Sequence, residues 1–110
     1  MKLKELEGKG FSFLTNTHDG EMIVSGVDSC DLLSWVMAKG KKGNLWITVQ
    51  THTNSVAVAS LLEMSGIIIP DGIEVEPETI EKANAENIAV LSTDMSPYQI
   101  FKCLYEMGIE

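Results

Sequence analysis

Short hydrophobic runs alternate along the chain with longer segments in which apolar positions recur at helical spacing. From residue 45 onward this alternation is regular, and it predicts three β-strands that are each followed by a helix. The strands are expected at residues 45–50, 66–69 and 88–91, and the helices at residues 54–64, 77–86 and 97–107. Because these strands are almost continuously apolar, the pattern favours parallel strands that are covered by helices on both faces.

The first 44 residues follow a less regular pattern. It predicts a short helix at 2–7, two strands at 11–14 and 22–24 around the turn His18-Asp19-Gly20, and a helix at 31–38. Apolar side chains crowd most of the surface of this last helix, whereas a surface helix would show a cleaner polar face. We therefore expect it to be buried on several sides or covered by a second subunit. The expected dimer interface comprises Leu32, Leu33, Trp35 and Val36.

Local signals mark the starts of the predicted helices. Ser96-Pro97-Tyr98-Gln99 has the pattern of a capping box with proline in the first turn, and Pro77 begins the preceding helix. Thr53 or Asn54 is expected to cap the helix at 54–64. Together with 45% apolar residues in a chain of 110 residues, these features predict one α/β domain over residues 1–110. Its mostly parallel sheet should have about four to five strands with right-handed crossovers.

Charge narrows the range of partners. The net charge is −8, and the chain contains no arginine. Nucleic acid is therefore not expected as a partner, because its phosphates are bound mainly by lysine and arginine. Any bound anion must rely on backbone N–H groups, hydroxyls and lysine. No apolar run is long enough to cross a bilayer, and the start of the chain does not look like a signal peptide. We expect a cytoplasmic protein without membrane association.

Polar side chains follow two of the predicted strands at their carboxyl ends, where α/β proteins bind ligands. Three loops qualify, at residues 50–55, 70–72 and 92–96. The candidate ligand-binding residues are Gln50, Thr51, His52, Thr53, Asn54, Ser55, Ser92, Thr93 and Asp94. Helix N-termini at this edge would favour a phosphate or carboxylate group. The same side chains could instead serve only as helix caps and loop hydrogen-bond partners.

Catalysis and metal binding have less support in the sequence. His52 could act with Asp94 if their strands were neighbours, but a catalytic histidine needs an orienting carboxylate within reach, and a lone loop histidine is usually a surface residue. Cys30 and Cys103 lack the spacing of a zinc site, and Glu74, Glu76 and Glu78 lack the glycine pattern of a calcium loop. We expect a protein that is not an enzyme and has no metal or cofactor.

Several segments, taken in order, resemble the DRTGG domain family. They are Val24-Ser25-Gly26, Asp31-Leu32-Leu33-Ser34-Trp35-Val36-Met37, residues 43–52, Val56-Ala57-Val58-Ala59-Ser60 and Val90-Leu91-Ser92-Thr93-Asp94. The motif that names the family has drifted, with Glu21-Met22 in place of Asp-Arg and Ser25-Gly26-Val27 in place of Thr-Gly-Gly. The arginine and the second glycine are lost, and roles that depend on them do not carry over.

The resemblance implies a fold similar to the N-terminal domain of HPr kinase/phosphorylase. It also implies a regulatory or assembly role without catalytic residues, since such domains occur beside CBS domains in regulated pyrophosphatases. The expected function is therefore a homodimeric regulatory module that binds a nucleotide or a phosphometabolite. Stand-alone members are often encoded near redox components. The alternative is a protein-interaction subunit of a redox (hydrogenase-like) or kinase complex that binds no small molecule.

Overall fold

A five-stranded sheet forms the centre of the computed structural model, which describes residues 1–109. The strands are β1 (Ser12–Phe13), β2 (Gly26–Ser29), β3 (Asn44–Ile47), β4 (Gly66–Ile69) and β5 (Ala89–Ser92). The sheet order is β1-β5-β4-β3-β2, and β1 alone runs antiparallel to its neighbour. The helices are α1 (Leu33–Lys39), α2 (Thr53–Leu61), α3 (Pro77–Ala85) and α4 (Pro97–Glu106), with a 3-10 helix at Leu3–Leu6. The predicted α/β fold with a mostly parallel sheet is confirmed.

The sheet separates two hydrophobic cores. Ile68 and Leu91 face the core that contains α4 and the N-terminal segment, whereas Trp46 and Val90 face the core that contains α1, α2 and α3. Every residue of β3 and β4 is buried, because helices or N-terminal residues cover both faces of these central strands. Such strands have to be apolar at consecutive positions, and this requirement explains why the sequence pattern located them well.

The starts of α3 and α4 confirm two predicted signals, whereas the start of α2 does not. Ser96 and Gln99 form a capping box, and Pro77 occupies the first turn of α3. The cap position of α2 is His52, whose side chain makes no capping hydrogen bond. The helix begins one residue earlier than predicted, so Thr53 and Asn54 lie inside its first turn and the prediction that one of them is the cap is wrong.

Of the two strands predicted around the turn His18-Asp19-Gly20, the one at 11–14 is found in shortened form as β1 and the one at 22–24 is not found. Residues 12–13 pair with β5. Ile23 forms only an isolated bridge with Lys2, since the N–H of Leu3 donates to the carbonyl of Met22 (2.8 Å) and the N–H of Val24 donates to that of Met1 (2.8 Å). The residues at 22–24 are thus hydrogen-bonded to the N-terminal residues and not to the sheet.

Strand β2 was not predicted, because Gly, Asp and Ser are uncommon in strands and occupy three of its four positions. Tertiary contacts place it there. Val27 and Asp28 lie beside Leu45 and Trp46 of β3, and the Asp28 carboxylate accepts hydrogen bonds from Asn44 Nδ2 (3.0 Å) and the N–H of Lys41 (3.1 Å). The aspartate thereby fixes the turn between α1 and β3.

Helix α1 is not buried on several sides, contrary to one of the two alternatives. Val36 is its only buried residue, whereas Leu32, just before the helix, is 61% exposed and Trp35 is 56% exposed.

The accessible surface of 5942 Å² agrees with the roughly 6,000 Å² expected of a compact monomer of this size. Within residues 1–109, no helix combines the length and apolar character needed to span a membrane.

Candidate functional site

A cavity of about 530 Å³ lies beyond the carboxyl end of β5, on the side of the sheet edge formed by β1. Three chain segments line it. They contribute Gly10, Ser12 and Leu14 from the β1 region, Gly72, Ile73, Glu74, Val75 and Pro77 from the connection between β4 and α3, and Ser92, Thr93 and Asp94 from the end of β5. A volume of this size falls in the range of small-molecule sites in proteins, about 300–1,000 Å³.

The antiparallel pairing of β1 and β5 places the two serines of the cavity together. Ser12 lies directly opposite Ser92, and Phe13 lies opposite Leu91. Successive side chains of a strand point to opposite faces, so Phe13 and Leu91 pack against the core while Ser12 and Ser92 face the cavity. Leu14 continues the Ser12 side of the strand and contributes apolar surface.

Backbone and side-chain hydrogen bonds hold the three segments together. The N–H groups of Asp71 and Gly72 donate to the carbonyls of Met95 and Thr93, both over 2.9 Å. The Thr93 hydroxyl donates to the carbonyl of Gly10 over 2.8 Å. The turn needs two consecutive left-handed residues, Asp71 with φ 57° and Gly72 with φ 66°. These links fix the cavity walls without any bound partner.

Gly72 also keeps space open beside Asp94. A Cβ atom at position 72 would lie 3.0 Å from Oδ1 of Asp94, which is closer than ordinary van der Waals contact. The absence of a side chain therefore leaves one carboxylate oxygen accessible from the cavity.

The polar groups of the cavity are largely unpaired. Within residues 1–109, the carboxylates of Glu74 and Asp94 take part in no hydrogen bond or ion pair, and the hydroxyls of Ser12 and Ser92 make no hydrogen bond. Only the Thr93 hydroxyl is engaged, because it also accepts the N–H of Met95 (3.2 Å). The lining thus offers four groups for ligand recognition, of which two are negative and none is positive.

The structure separates the candidate residues into two places. Ser92, Thr93 and Asp94 line the cavity, whereas Gln50, Thr51, His52, Thr53, Asn54 and Ser55 follow β3 and do not. Three of the latter are engaged internally. Gln50 Nε2 donates to the carbonyl of Asp31 (2.9 Å), the Ser55 hydroxyl donates to the carbonyl of Gln50 (2.8 Å), and the carbonyl of Thr51 accepts the hydroxyl of Thr79 (2.7 Å).

His52 and Asp94 do not follow neighbouring strands. Strand β4 lies between β3 and β5, so the ends of those two strands are separated by two strand spacings, roughly 10 Å. The sequence allowed a catalytic role for His52 with Asp94 only if their strands were neighbours, and they are not. The ring of the second histidine, His18, stacks on the ring of Phe13 with 4.4 Å between the centroids. Its Nδ1 atom is hydrogen-bonded with the Thr15 hydroxyl over 3.0 Å.

No local pattern in the sequence pointed to several of the cavity residues. Gly10, Ser12 and Leu14 enter the site only because β1 joins the sheet next to β5, a pairing across 80 residues that no local pattern reveals. Ile73, Glu74, Val75 and Pro77 follow the predicted 70–72 loop, and their nearness to that loop was the one available hint. Within residues 1–109, no group of three His, Cys, Asp or Glu side chains is arranged to hold a metal ion.

The expected dimer residues differ in accessibility. Leu32 and Trp35 are exposed, Leu33 is half-buried, and Val36 lies inside the core next to α2 and β3. Val49 is also exposed, and its N–H donates to the carboxylate of Asp31, the residue before Leu32 (2.9 Å). Val36 thus has no surface to offer to a second subunit.

The sequence matches no protein-family model and no curated protein. The fold is similar to a crystal structure of the CBS and DRTGG domains of the regulatory region of Clostridium perfringens pyrophosphatase, complexed with the activator diadenosine tetraphosphate. The TM-score is 0.69 with 17% sequence identity, over 92% of this chain and 44% of that one. The chain therefore spans less than half of the matched structure. This similarity supports a DRTGG-like fold, while membership of the family stays a prediction.

Proposed function

We propose that the chain, over residues 1–110, is a single DRTGG-like regulatory domain without catalytic activity that binds a nucleotide or phosphometabolite. The ligand occupies the cavity between β1, the 72–77 segment and Ser92–Asp94. The observation that carries this proposal is the cavity itself, in which fixed walls surround hydroxyls and carboxylates that have no partner within the described chain. Its position beyond the carboxyl end of a parallel strand is where α/β sheets bind ligands.

The fold comparison supports the regulatory part of the proposal. The similar structure comes from the regulatory region of a pyrophosphatase and was solved with an activator nucleotide. A ligand in the cavity would bridge three segments that come from both ends and the middle of the chain. Such a ligand would stabilise this arrangement of the segments relative to any conformation that binds it less tightly, which is how a binding domain transmits a signal.

The loop at residues 50–55 remains a predicted extension of this site. It lies two strands away from Ser92–Asp94, so only a ligand that reaches across the end of β4 would contact His52 or Asn54. A dinucleotide has the necessary length.

A homodimer through α1 is the second part of the proposal. Leu32 and Trp35 are exposed apolar side chains three residues apart, at the start of this short helix and therefore on the same side of it. Large exposed apolar patches mark interaction surfaces. A second copy that presented the same patch would cover it symmetrically, as in most homodimers.

Ligand binding is tested by thermal denaturation and calorimetry with adenosine, AMP, ATP and diadenosine tetraphosphate. A ligand at ten times its Kd adds about 1.4 kcal/mol to the free energy of unfolding, which raises the Tm of a domain this size by several degrees. Ser12→Trp, which fills the cavity, should abolish the shift. Ser29→Trp is the matched control, since Ser29 is also exposed but lies on the opposite edge strand. Absence of any shift at millimolar ligand would overturn the proposal.

The interaction subunit is a second candidate, and the exposed face of α4 favours it. Tyr98 and Tyr105 are 76% and 67% exposed, and Phe101 between them is 41% exposed, so three aromatic side chains line one side of the helix. Aromatic residues are enriched in protein interfaces. This function predicts a stable complex with a redox or kinase component that Phe101→Glu disrupts and Ser12→Trp leaves intact, as measured by light scattering of the purified complex.

A further inference from the structure

The charges around the cavity are opposite to those that a phosphate group requires. Glu74 and Asp94 each place a carboxylate on its lining, and none of the eight lysines of the chain lies there. Four lysines form ion pairs elsewhere, namely Lys2, Lys4, Lys42 and Lys82. Phosphate-binding sites concentrate positive charge and N–H donors, whereas a phosphate inside this cavity would meet two carboxylates and no lysine.

The same lining suits a ligand group that donates hydrogen bonds. Carboxylates accept hydrogen bonds from hydroxyl and amino groups, and the hydroxyls of Ser12 and Ser92 can both donate and accept. The two serines stand side by side because they are register partners in the β1–β5 pair. One carboxylate oxygen of Asp94 stays accessible because residue 72 is a glycine. A side chain at position 72 would lie close to that oxygen.

The cavity also has apolar walls, which suit a flat, partly polar ring of a ligand. Leu14, Ile73, Val75 and Pro77 contribute it from two sides of the cavity. Ligand sites typically combine apolar walls with a few placed polar groups. A nucleoside carries both chemistries, with a planar base for the apolar walls and ribose hydroxyls for the carboxylates.

We propose that the cavity binds the nucleoside end of its ligand, through Glu74, Asp94 and the Ser12–Ser92 pair, and that the phosphates stay outside it. This inference rests on the proposed function and deepens it by assigning which part of the ligand is recognised. It also revises the expectation that this site binds an anion, because the uncharged nucleoside part of the ligand would determine the affinity.

Calorimetry in the absence of divalent metal ions tests the inference, with adenosine, ATP and inorganic pyrophosphate as probes. Adenosine should bind at least as tightly as ATP, and pyrophosphate should not displace either ligand at millimolar concentration. The double variant Glu74→Gln, Asp94→Asn should weaken adenosine binding by about ten-fold or more, since each charged acceptor of a hydrogen bond is lost. Glu76→Gln is the control, because Glu76 is exposed next to the cavity but is not part of its lining.

The outcomes separate this inference from the proposed function. If pyrophosphate competes with ATP and the double variant binds ATP more tightly, the phosphates lie inside the cavity and the inference is overturned while ligand binding stands. If adenosine binds and neither the double variant nor Ser12→Trp changes its affinity, the ligand binds outside the cavity, and both the inference and the assignment of the cavity as the ligand site are overturned. If no nucleoside or nucleotide binds to the unmodified chain, both the inference and the proposed function fail. Circular dichroism of each variant verifies that these exposed substitutions preserve the fold.

Discussion

The hydroxyl of Thr93 donates a 2.8 Å hydrogen bond to the backbone carbonyl of Gly10, and this bond joins two segments 83 residues apart in the chain. The same oxygen accepts the N–H of Met95, and the side chain is almost completely buried. One threonine therefore connects the end of β5 with the segment before β1. These segments form two of the three walls of the cavity.

Removal of this hydroxyl should destabilise both the fold and the site. Thr93→Val keeps the shape of the side chain but leaves the carbonyl of Gly10 and the N–H of Met95 without their partner. The expected loss is about 1–3 kcal/mol of unfolding free energy, together with weaker binding in the cavity. Thr93→Ser keeps the hydroxyl and should retain most of that stability. Urea denaturation measures both variants, and equal stability of valine and serine would contradict the assigned role.

Truncation of the core should affect stability according to burial. Ile68 lies in the central strand β4 and is fully buried, whereas Leu61 on α2 is 67% exposed. Ile68→Ala should lower the free energy of unfolding by about 2–5 kcal/mol through lost contacts and a new cavity. Leu61→Ala should change it by less than about 0.5 kcal/mol. Urea denaturation distinguishes the two, and similar losses would be inconsistent with the described core.

Dimerisation through α1 should change the environment of one of the two tryptophans. Trp46 is buried and its Nε1–H donates to the carbonyl of Cys30 (2.8 Å), whereas Trp35 is exposed on α1. In a monomer, acrylamide should quench Trp35 strongly and Trp46 weakly. In the proposed dimer both should be protected at micromolar protein concentration.

The substitution Trp35→Glu should convert the dimer to a monomer, because it places a charge in a desolvated apolar interface. Leu61→Glu introduces the same charge on another exposed helix and should leave the oligomeric state unchanged. Light scattering gives the mass of each variant. A monomeric unmodified chain, with Trp35 freely quenched, would rule out the α1 interface.

The ion pairs of Glu21 with Lys2 and Lys4 should stop contributing to folding stability in acid. Hydrogen bonds and charge interactions with Lys2 (2.8 Å) and Lys4 (2.5 Å) lower the pKa of the Glu21 carboxyl to about 2, and the pKa of Lys2 is raised by the same carboxylate. Since the folded pKa lies below the ordinary value of 4.5, the stabilisation is complete above that value and disappears as the pH falls toward 2.

The variant Glu21→Gln should therefore be less stable than the unmodified chain at neutral pH and equally stable near pH 2. The difference should be small and should decrease with salt, because all three side chains are well exposed. Urea midpoints across this pH range and NMR titration of the carboxyl measure it. A Glu21 carboxyl that titrates at 4.5 would contradict the arrangement.

Local sequence determined the elements whose residues carry their own structural signal. Strand β4 is fully apolar, and α4 begins at a capping box, so both were predicted almost to the residue. The order of strands and helices from residue 45 onward also predicted the parallel sheet, and with it the edge where a ligand site would lie. The place of Ser92, Thr93 and Asp94 at this edge could be predicted in this way, because their positions follow directly from the end of β5.

Tertiary structure decided what depends on contacts between distant segments. Strand β2 has a polar sequence and exists because Asp28 and its neighbours pair with β3. Ser12 and Leu14 reach the cavity because β1 pairs with a strand 80 residues later. The order of β3, β4 and β5 separates His52 from Asp94. The sequence alone thus determines the apolar central strands and the helices with clear start signals, since those preferences are local. Which polar side chains share one cavity, and what charge they give it, depends on strand pairing across the whole chain.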